Sequence, residues 1–307
     1  MLEIPLPKNF PFIPKQRYFL VLSLILTISS LFVMITHGLN YGIDFVGGNK
    51  LTYKFTQPVG DGDLQSALAI MPTEVSVQRM GQEEDNLFSI KVKGSDADPK
   101  AFATQVTSIL EAKYPGGVSL VGEETVGPKV GKELRRKGAL AILFTLAAML
   151  IYVWIRFDFF FAPGAIVALV HDVIMVMGAL ALFHKEFNLT ILAALLTIVG
   201  YSMNDTIIVY DRIREHIKNI SAATISEIVN KSINETMSRT IITHLTVLFV
   251  VVVLFISGGG SIHDFAFCFI VGVLTATYSS IFIACPIYIF MYKKWPKWFG
   301  EPVAARR

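Results

Sequence analysis

Residues 187–210 read FNLTILAALLTIVGYSMNDTIIVY, 24 residues with a single charged side chain, Asp205. At 1.5 Å per residue such a helix reaches about 36 Å, enough to cross a hydrocarbon layer of roughly 30 Å. The stretch predicts a membrane-spanning helix, and five more blocks of the same kind follow its pattern. They cover residues 18–36, 138–155, 162–183, 240–256 and 265–292; with 187–210 they are spans 1 to 6 in chain order. Composition agrees, since 53% of the 307 residues are hydrophobic and 17% are charged, against about a quarter charged in soluble domains. A soluble globular enzyme is excluded, and a polytopic α-helical membrane protein is expected.

A net charge of +3 is too small to argue for a nucleic-acid partner, so the basic residues are read as topology signals. With both termini in the cytoplasm, the inner segments carry 14 Lys and Arg and the short outer loops carry 1, as the positive-inside rule asks. Residues 1–17 and 293–307 are then cytoplasmic tails, and span 1 is a retained anchor rather than a signal peptide. Residues 37–137 form an external segment. Its basic cluster at Lys129, Lys132, Arg135, Arg136 and Lys137 runs against the rule, which loops of this length largely escape. Residues 211–239 mix charges with isoleucines at helical spacing and are expected to lie along the inner membrane surface. Cys268 and Cys285 are 17 residues apart on span 6, about 25 Å along a helix, too far to bridge.

The external segment is long enough for its own domain. Residues 49–56 alternate Leu51, Tyr53 and Phe55 against Thr52 and Lys54, the period of a half-buried strand. A short helix over 63–70, capped by Asp61 or Asp63, precedes strands marked by Val75 and Val77 and by Phe88, Ile90 and Val92, with a turn over 81–86. Asp98 and Pro99 open a second helix whose Phe102, Val106, Ile109 and Leu110 share a stripe, and a last strand follows over 118–126. Strand, helix, strand, strand, helix, strand is the split βαβ, ferredoxin-like pattern: an α+β domain with both helices on one face of an antiparallel sheet.

Nothing in the chain looks like a fuel or hydrolytic site. Residues 127–132 read GPKVGK, the wrong spacing for a phosphate-binding loop, and there is no HExxH, no GxSxG and no Cys/His pair at metal-ligand spacing. The expectation is no enzyme, no catalytic residue, no metal and no cofactor beyond a coupling ion. The Asn-x-Ser/Thr tripeptides at Asn188, Asn219 and Asn234 are read as chance. What the spans do carry is ionisable groups, each costly in hydrocarbon unless paired or wetted. His171 and Asp172 fall near the middle of span 3, where a structural hydrogen bond to a neighbouring helix is the plain alternative. Asp205, flanked by Tyr201 and Asn204, lies about 9 Å inside the end of span 4. Arg239 opens span 5 at the same level, which makes an Asp205–Arg239 pair geometrically reasonable. His263 and Asp264 begin span 6, where Asp264 could also cap the helix. Asp264, Asp172 and Asp205 with Arg239 thus form a candidate proton or sodium relay. Gly42, Asp44, Gly47 and Gly48, in GIDFVGG after span 1, form a candidate hinge, with backbone geometry alone as the alternative reason for the glycines.

These words also resemble a known family. GIDFVGG over 42–48, LVHDVIMV over 169–176, VGYSMNDTIIVYDRIRE over 199–215, INETMSRTIITH over 233–244, and HDFAF and ATYSS in span 6 resemble the SecF family of protein-export membrane subunits over nearly the whole chain. The resemblance implies a subunit of a SecD–SecF complex of the resistance-nodulation-division superfamily, contributing six of twelve helices. It implies SecD, the SecYEG channel and the translocating preprotein as partners, with YajC-type and YidC-type membrane proteins as further candidates. It also implies that proton or sodium entry drives movements of the external domains in late export across the bacterial inner membrane. Asp205, Arg239 and Asp264 fall on the family's important positions, and Asn204 on the asparagine of its NDT motif. His244 stands where a small hydroxyl residue is expected and Ala276 where glycine is commoner. His244 could add a titrating group, an idea that fails if His244→Ser leaves the pH dependence of export unchanged. The competing functions are a half-transporter of the same superfamily moving a small molecule or lipid, and a scaffold with no use for membrane carboxylates. The ion is expected to act at Asp205 and the movement to pass through span 1 and Gly42 to Gly48 into the external domain.

Overall fold

The computed structural model describes residues 9–71, 75–80, 83–93, 99–157, 159–219 and 223–295. It opens with α1 (Gln16–Thr36), which leads into a two-residue strand β1 (Asn40–Tyr41) and a single turn α2 (Ile43–Val46). Then come β2 (Gly48–Phe55), α3 (Asp61–Leu68), β3 (Val75–Met80), β4 (Leu87–Lys93), α4 (Pro99–Lys113) and β5 (Val118–Val126). The chain continues through α5 (Pro128–Arg156), α6 (Ala162–Leu182), β6 (Glu186–Phe187), α7 (Leu189–Asn219), α8 (Ile225–Ser257), α9 (Ser261–Ser279) and α10 (Cys285–Lys294). A π-helical turn, Ser280–Ala284, joins the last two. Counting α9 and α10 as one span, 6 helices among the described residues are long and apolar enough to cross a membrane.

The alternating apolar residues close the external domain. Its sheet has the order β3-β4-β2-β5 with every pair antiparallel, the ferredoxin-like arrangement expected from the pattern. Leu51, Tyr53 and Phe55 of β2 and Phe88, Ile90 and Val92 of β4 meet Leu64 and Leu68 of α3 and Phe102, Val106 and Leu110 of α4 in one buried core. Helix α3 starts at Asp61 with Gly60 as its N-cap, so Asp61 and Asp63 sit in the first turn, where carboxylates favour the helix dipole; neither is the cap. Asp98 and part of the turn over 81–86 lie outside the described residues.

In the membrane bundle, α6, α7 and the α9–α10 span bury about half of their apolar windows, whereas α1, α5 and α8 bury few residues. The outer helices turn Leu24, Phe32, Phe144 and Phe249 outward, as a hydrocarbon solvent allows. Two boundaries differ from the sequence expectation. Helix α5 begins at Pro128 and runs for 29 residues, about 44 Å, longer than the hydrocarbon is thick. The basic cluster over 129–137 is therefore the domain-side extension of a span, and Arg135 lies over the Tyr41 ring at 4.3 Å. Among the described residues of 211–239, residues 211–219 continue α7 and residues 225–239 begin α8, which is opened by a Thr224–Glu227 capping box.

The external domain is clamped to the bundle rather than hung from α1. Strands β1 and β6 pair in parallel, Asn40 opposite Glu186 and Tyr41 opposite Phe187. Glu186, in the turn between α6 and α7, forms an ion pair with Lys91 of β4 and approaches Lys93 at 3.8 Å. Lys93 also donates to Asn40 Oδ1 at 2.6 Å. Gly47 (φ +82°) and Gly48 (φ +143°) need the glycine backbone, and a Cβ at Gly48 would stand 2.1 Å from the Val92 carbonyl oxygen.

Candidate functional site

Two buried polar clusters sit in the bundle about one helical turn apart along α7. In the first, Asp172 of α6 is fully buried. Ser202 of α7 donates to its Oδ2 at 2.6 Å, Ser279 of α9 donates to the same oxygen at 2.8 Å, and His171 Nδ1 lies 3.1 Å from Oδ1. The carboxylate thus ties three central helices together. The bridging serines were not foreseen; the available signal was their position, since Ser202 precedes Asp205 by three residues and shares its helix face.

The second cluster is Asp205 of α7, His244 of α8 and Thr277 of α9. Asp205 is 1% and His244 5% exposed. His244 Nε2 stands 2.5 Å from Asp205 Oδ2, out of line for a hydrogen bond, and among the described residues neither atom has another hydrogen-bond partner. The other ring nitrogen, Nδ1, is hydrogen-bonded to Thr277 Oγ1. The Tyr201 ring lies 5.0 Å from the imidazole, and its hydroxyl donates to the Thr243 carbonyl at 3.2 Å.

The expected Asp205–Arg239 pair does not form. Arg239 is exposed on α8, while His244, five residues on, faces Asp205. Five residues turn a helix by about 140°, so α8 cannot aim both side chains at α7. Asn204 is likewise exposed, one residue round α7 from Asp205.

At the domain side of the bundle, Asp264 is 4% exposed and accepts from Lys185 Nζ at 2.8 Å. It occupies the first turn of α9 behind Gly260, not the cap position. His263 Nδ1 meets the Phe255 carbonyl oxygen at 2.8 Å.

The glycine motif reaches this machinery through α7. Gly42 donates its N–H to the Phe187 carbonyl at 2.8 Å, and Asp44 Oδ2 accepts from the Leu189 N–H, the first residue of α7, at 2.9 Å. Asn188 accepts from the Ile191 N–H at 3.0 Å and caps the same helix. The motif is thus fastened to the outer end of the helix that carries Ser202 and Asp205. Among the described residues, no three His, Cys, Asp or Glu side chains group as a metal site.

The chain is similar to known proteins. The family described as "Protein export membrane protein SecD/SecF, C-terminal" matches residues 105–294, and the "SecD/SecF GG Motif" matches residues 32–59. The protein translocase subunit SecF of Calditerrivibrio nitroreducens is 45% identical over 280 residues, covering 90% of this chain and 92% of that protein. That of Magnetococcus marinus is 43% identical, covering 92% of each. The crystal structure of SecDF, a translocon-associated membrane protein from Thermus thermophilus, superposes with a TM-score of 0.81 at 35% identity over 94% of this chain. SecDF in its super-membrane-facing form gives a TM-score of 0.71. This chain spans 39% of the length of the first of those solved chains. With its six apolar helices and its ferredoxin-like domain clamped beside them, the chain is a multi-pass membrane protein that belongs to the SecD/SecF family of protein-export membrane proteins, as a SecF-type translocase subunit.

Proposed function

We propose that this chain works with SecD as an accessory subunit of the Sec preprotein translocase and uses a proton or sodium gradient to drive late steps of export across the cytoplasmic membrane. The observation that carries the reading is the Asp205–His244 contact: two buried ionisable groups in an apolar bundle whose facing atoms have no other hydrogen-bond partner. Such a pair is costly in hydrocarbon unless its charge state is used. Asp205 lies 16 residues beyond Leu189 on one uninterrupted helix, about 24 Å. A change of packing at Asp205 therefore acts on the helix end held by Asp44 and on the clamp at Glu186 beside it. In this reading α7, rather than α1, carries movement to the external domain. Asp264, paired with Lys185, supplies the outer part of the ion path, Asp172 ties together the helices around it, and Arg239 stays exposed on α8. The orientation is both termini cytoplasmic in the inner membrane, with SecYEG, the preprotein and YajC-type or YidC-type proteins as further partners.

The test is preprotein translocation into inverted vesicles containing SecYEG, SecD and this chain, with and without an imposed ion gradient. Gradient stimulation in the wild type that Asp205→Asn abolishes supports the reading. Equal stimulation in both removes Asp205 from the path, and no stimulation by either ion favours a scaffold.

A further inference from the structure

We infer that Asp205 and His244 hold a single proton between them, which makes the site a proton site and excludes a sodium ion from the gap. The inference rests on the ion coupling proposed at Asp205 and names the ion. It starts from Thr277. A threonine hydroxyl has one hydrogen, and Thr277 donates it to the Val273 carbonyl oxygen at 2.8 Å. The hydrogen in the Thr277–His244 bond must then come from Nδ1, so a neutral His244 presents a bare lone pair at Nε2. Nε2 stands 2.5 Å from Asp205 Oδ2, a repulsive contact between two unprotonated atoms when the carboxylate is ionised. One proton, carried by either atom, turns it attractive after a small rotation of the ring. Hard cations of sodium's kind take several oxygen ligands at roughly 2.3–2.6 Å each, so an ion between these two atoms needs a gap about twice the one present. It would also meet a nitrogen where it needs oxygen.

The surroundings are otherwise short of charge. Facing the pair are Tyr201 from α7, at 5.0 Å from the imidazole, and the Thr277 hydroxyl from α9. From α6 come Asp172 and His171, joined to α7 through Ser202. On α8 the charged groups are Glu227, Lys231, Glu235 and Arg239, all exposed, and on α10 they are Lys293 and Lys294 in the last turn. Loading adds one proton to the pair and release removes it, with no other bond made or broken.

The experiment reconstitutes the chain with SecD and SecYEG in proteoliposomes and drives preprotein translocation by a proton or a sodium gradient across a pH series. The wild type should respond to protons and not to sodium. His244→Asn keeps a donor toward Thr277 but has nothing to face Asp205; it should lower proton-driven stimulation roughly tenfold or more and flatten the pH profile over about pH 5 to 8. A sodium-driven response lost in Asp205→Asn would leave the coupling reading standing and overturn the proton pair. An unchanged pH profile in His244→Asn overturns the inference too, and no response to either gradient overturns both. If His244→Asn does not assemble, nitrogen NMR of the histidine-labelled wild-type chain decides. Hydrogen on Nδ1 in every state supports the inference, and a neutral ring protonated at Nε2 alone refutes it.

Discussion

Asp172 and Asp205 are both buried carboxylates on central helices, about one turn apart along the bundle, yet their surroundings differ. Asp172 receives two serine hydroxyls and a histidine nitrogen from its own and neighbouring helices. Asp205 meets one imidazole nitrogen at a poor angle, and the facing atoms have no other partner. A satisfied buried polar group adds rigidity, whereas an unsatisfied one costs free energy until its charge state changes. The contrast teaches that carboxylates of equal burial divide into a lock and a movable group by their partners.

The sharpest way to break this division is Asp205→Asn, which should reduce gradient-driven translocation to its level without a gradient while leaving the thermal unfolding of the solubilised chain nearly unchanged. If instead unfolding shifts and coupling survives, the two aspartates have exchanged roles. Next in size, Asp172→Ala strips three partners at once and should lower stability by about 3 kcal/mol, read as a drop in unfolding temperature. A neutral result there would show that the lock is not one.

The helix both clusters share gives a smaller test. Asp44→Ala removes an acceptor from the first turn of α7 and should cost about 1 kcal/mol. It should weaken coupling while leaving its pH profile in place, which separates transmission from titration. The smallest effect belongs to the external domain, where Tyr53 resembles Asp172 in having its polar atom partnered: its hydroxyl and that of Thr107 are 2.7 Å apart. Burial holds the Tyr53 phenol above its ordinary range, so the neutral form is favoured in the folded state. Its contribution is fully present below the ordinary phenol range near pH 10 and is lost as the pH rises through the elevated folded-state value. Tyr53→Phe should cost roughly 0.5 kcal/mol at neutral pH and reduce the alkaline loss of stability in the unfolding curve.

The external domain was legible because its apolar residues alternate without interruption: Leu51, Tyr53 and Phe55 announce one buried face, and Phe88, Ile90 and Val92 the strand beside it. The six spans were legible from length and hydropathy. Helix ends were not, because Lys129 to Lys137 and the charges over 211–239 fall on helices that extend past the hydrocarbon, where composition no longer reports conformation. Asp205 stood out as a charge in an apolar block, but its partner did not. Sequence level along the membrane normal pointed to Arg239, whereas the angular phase of α8, visible only once Thr240 and His244 are seen buried together, points to His244. The serines that serve Asp172 were hidden for a related reason, since hydroxyls in apolar helices bond equally well to their own backbone, and only the neighbouring helix decides between the two uses.

The π-helical turn at Ser280–Ala284 has a consequence for register. It places one more residue in a turn than an α-helix does, so the faces of α9 and α10 are offset by about 100°. That offset lets Ser279 point at Asp172 while Tyr288 stacks on Phe161 at 4.1 Å. It also leaves the Ala284 carbonyl oxygen to accept from the Tyr210 hydroxyl at 3.1 Å. Viewed as chain arithmetic, the last span carries one inserted residue, and deleting any one of the five would rotate the C-terminal half of the helix as a unit and part Tyr288 from its aromatic neighbours.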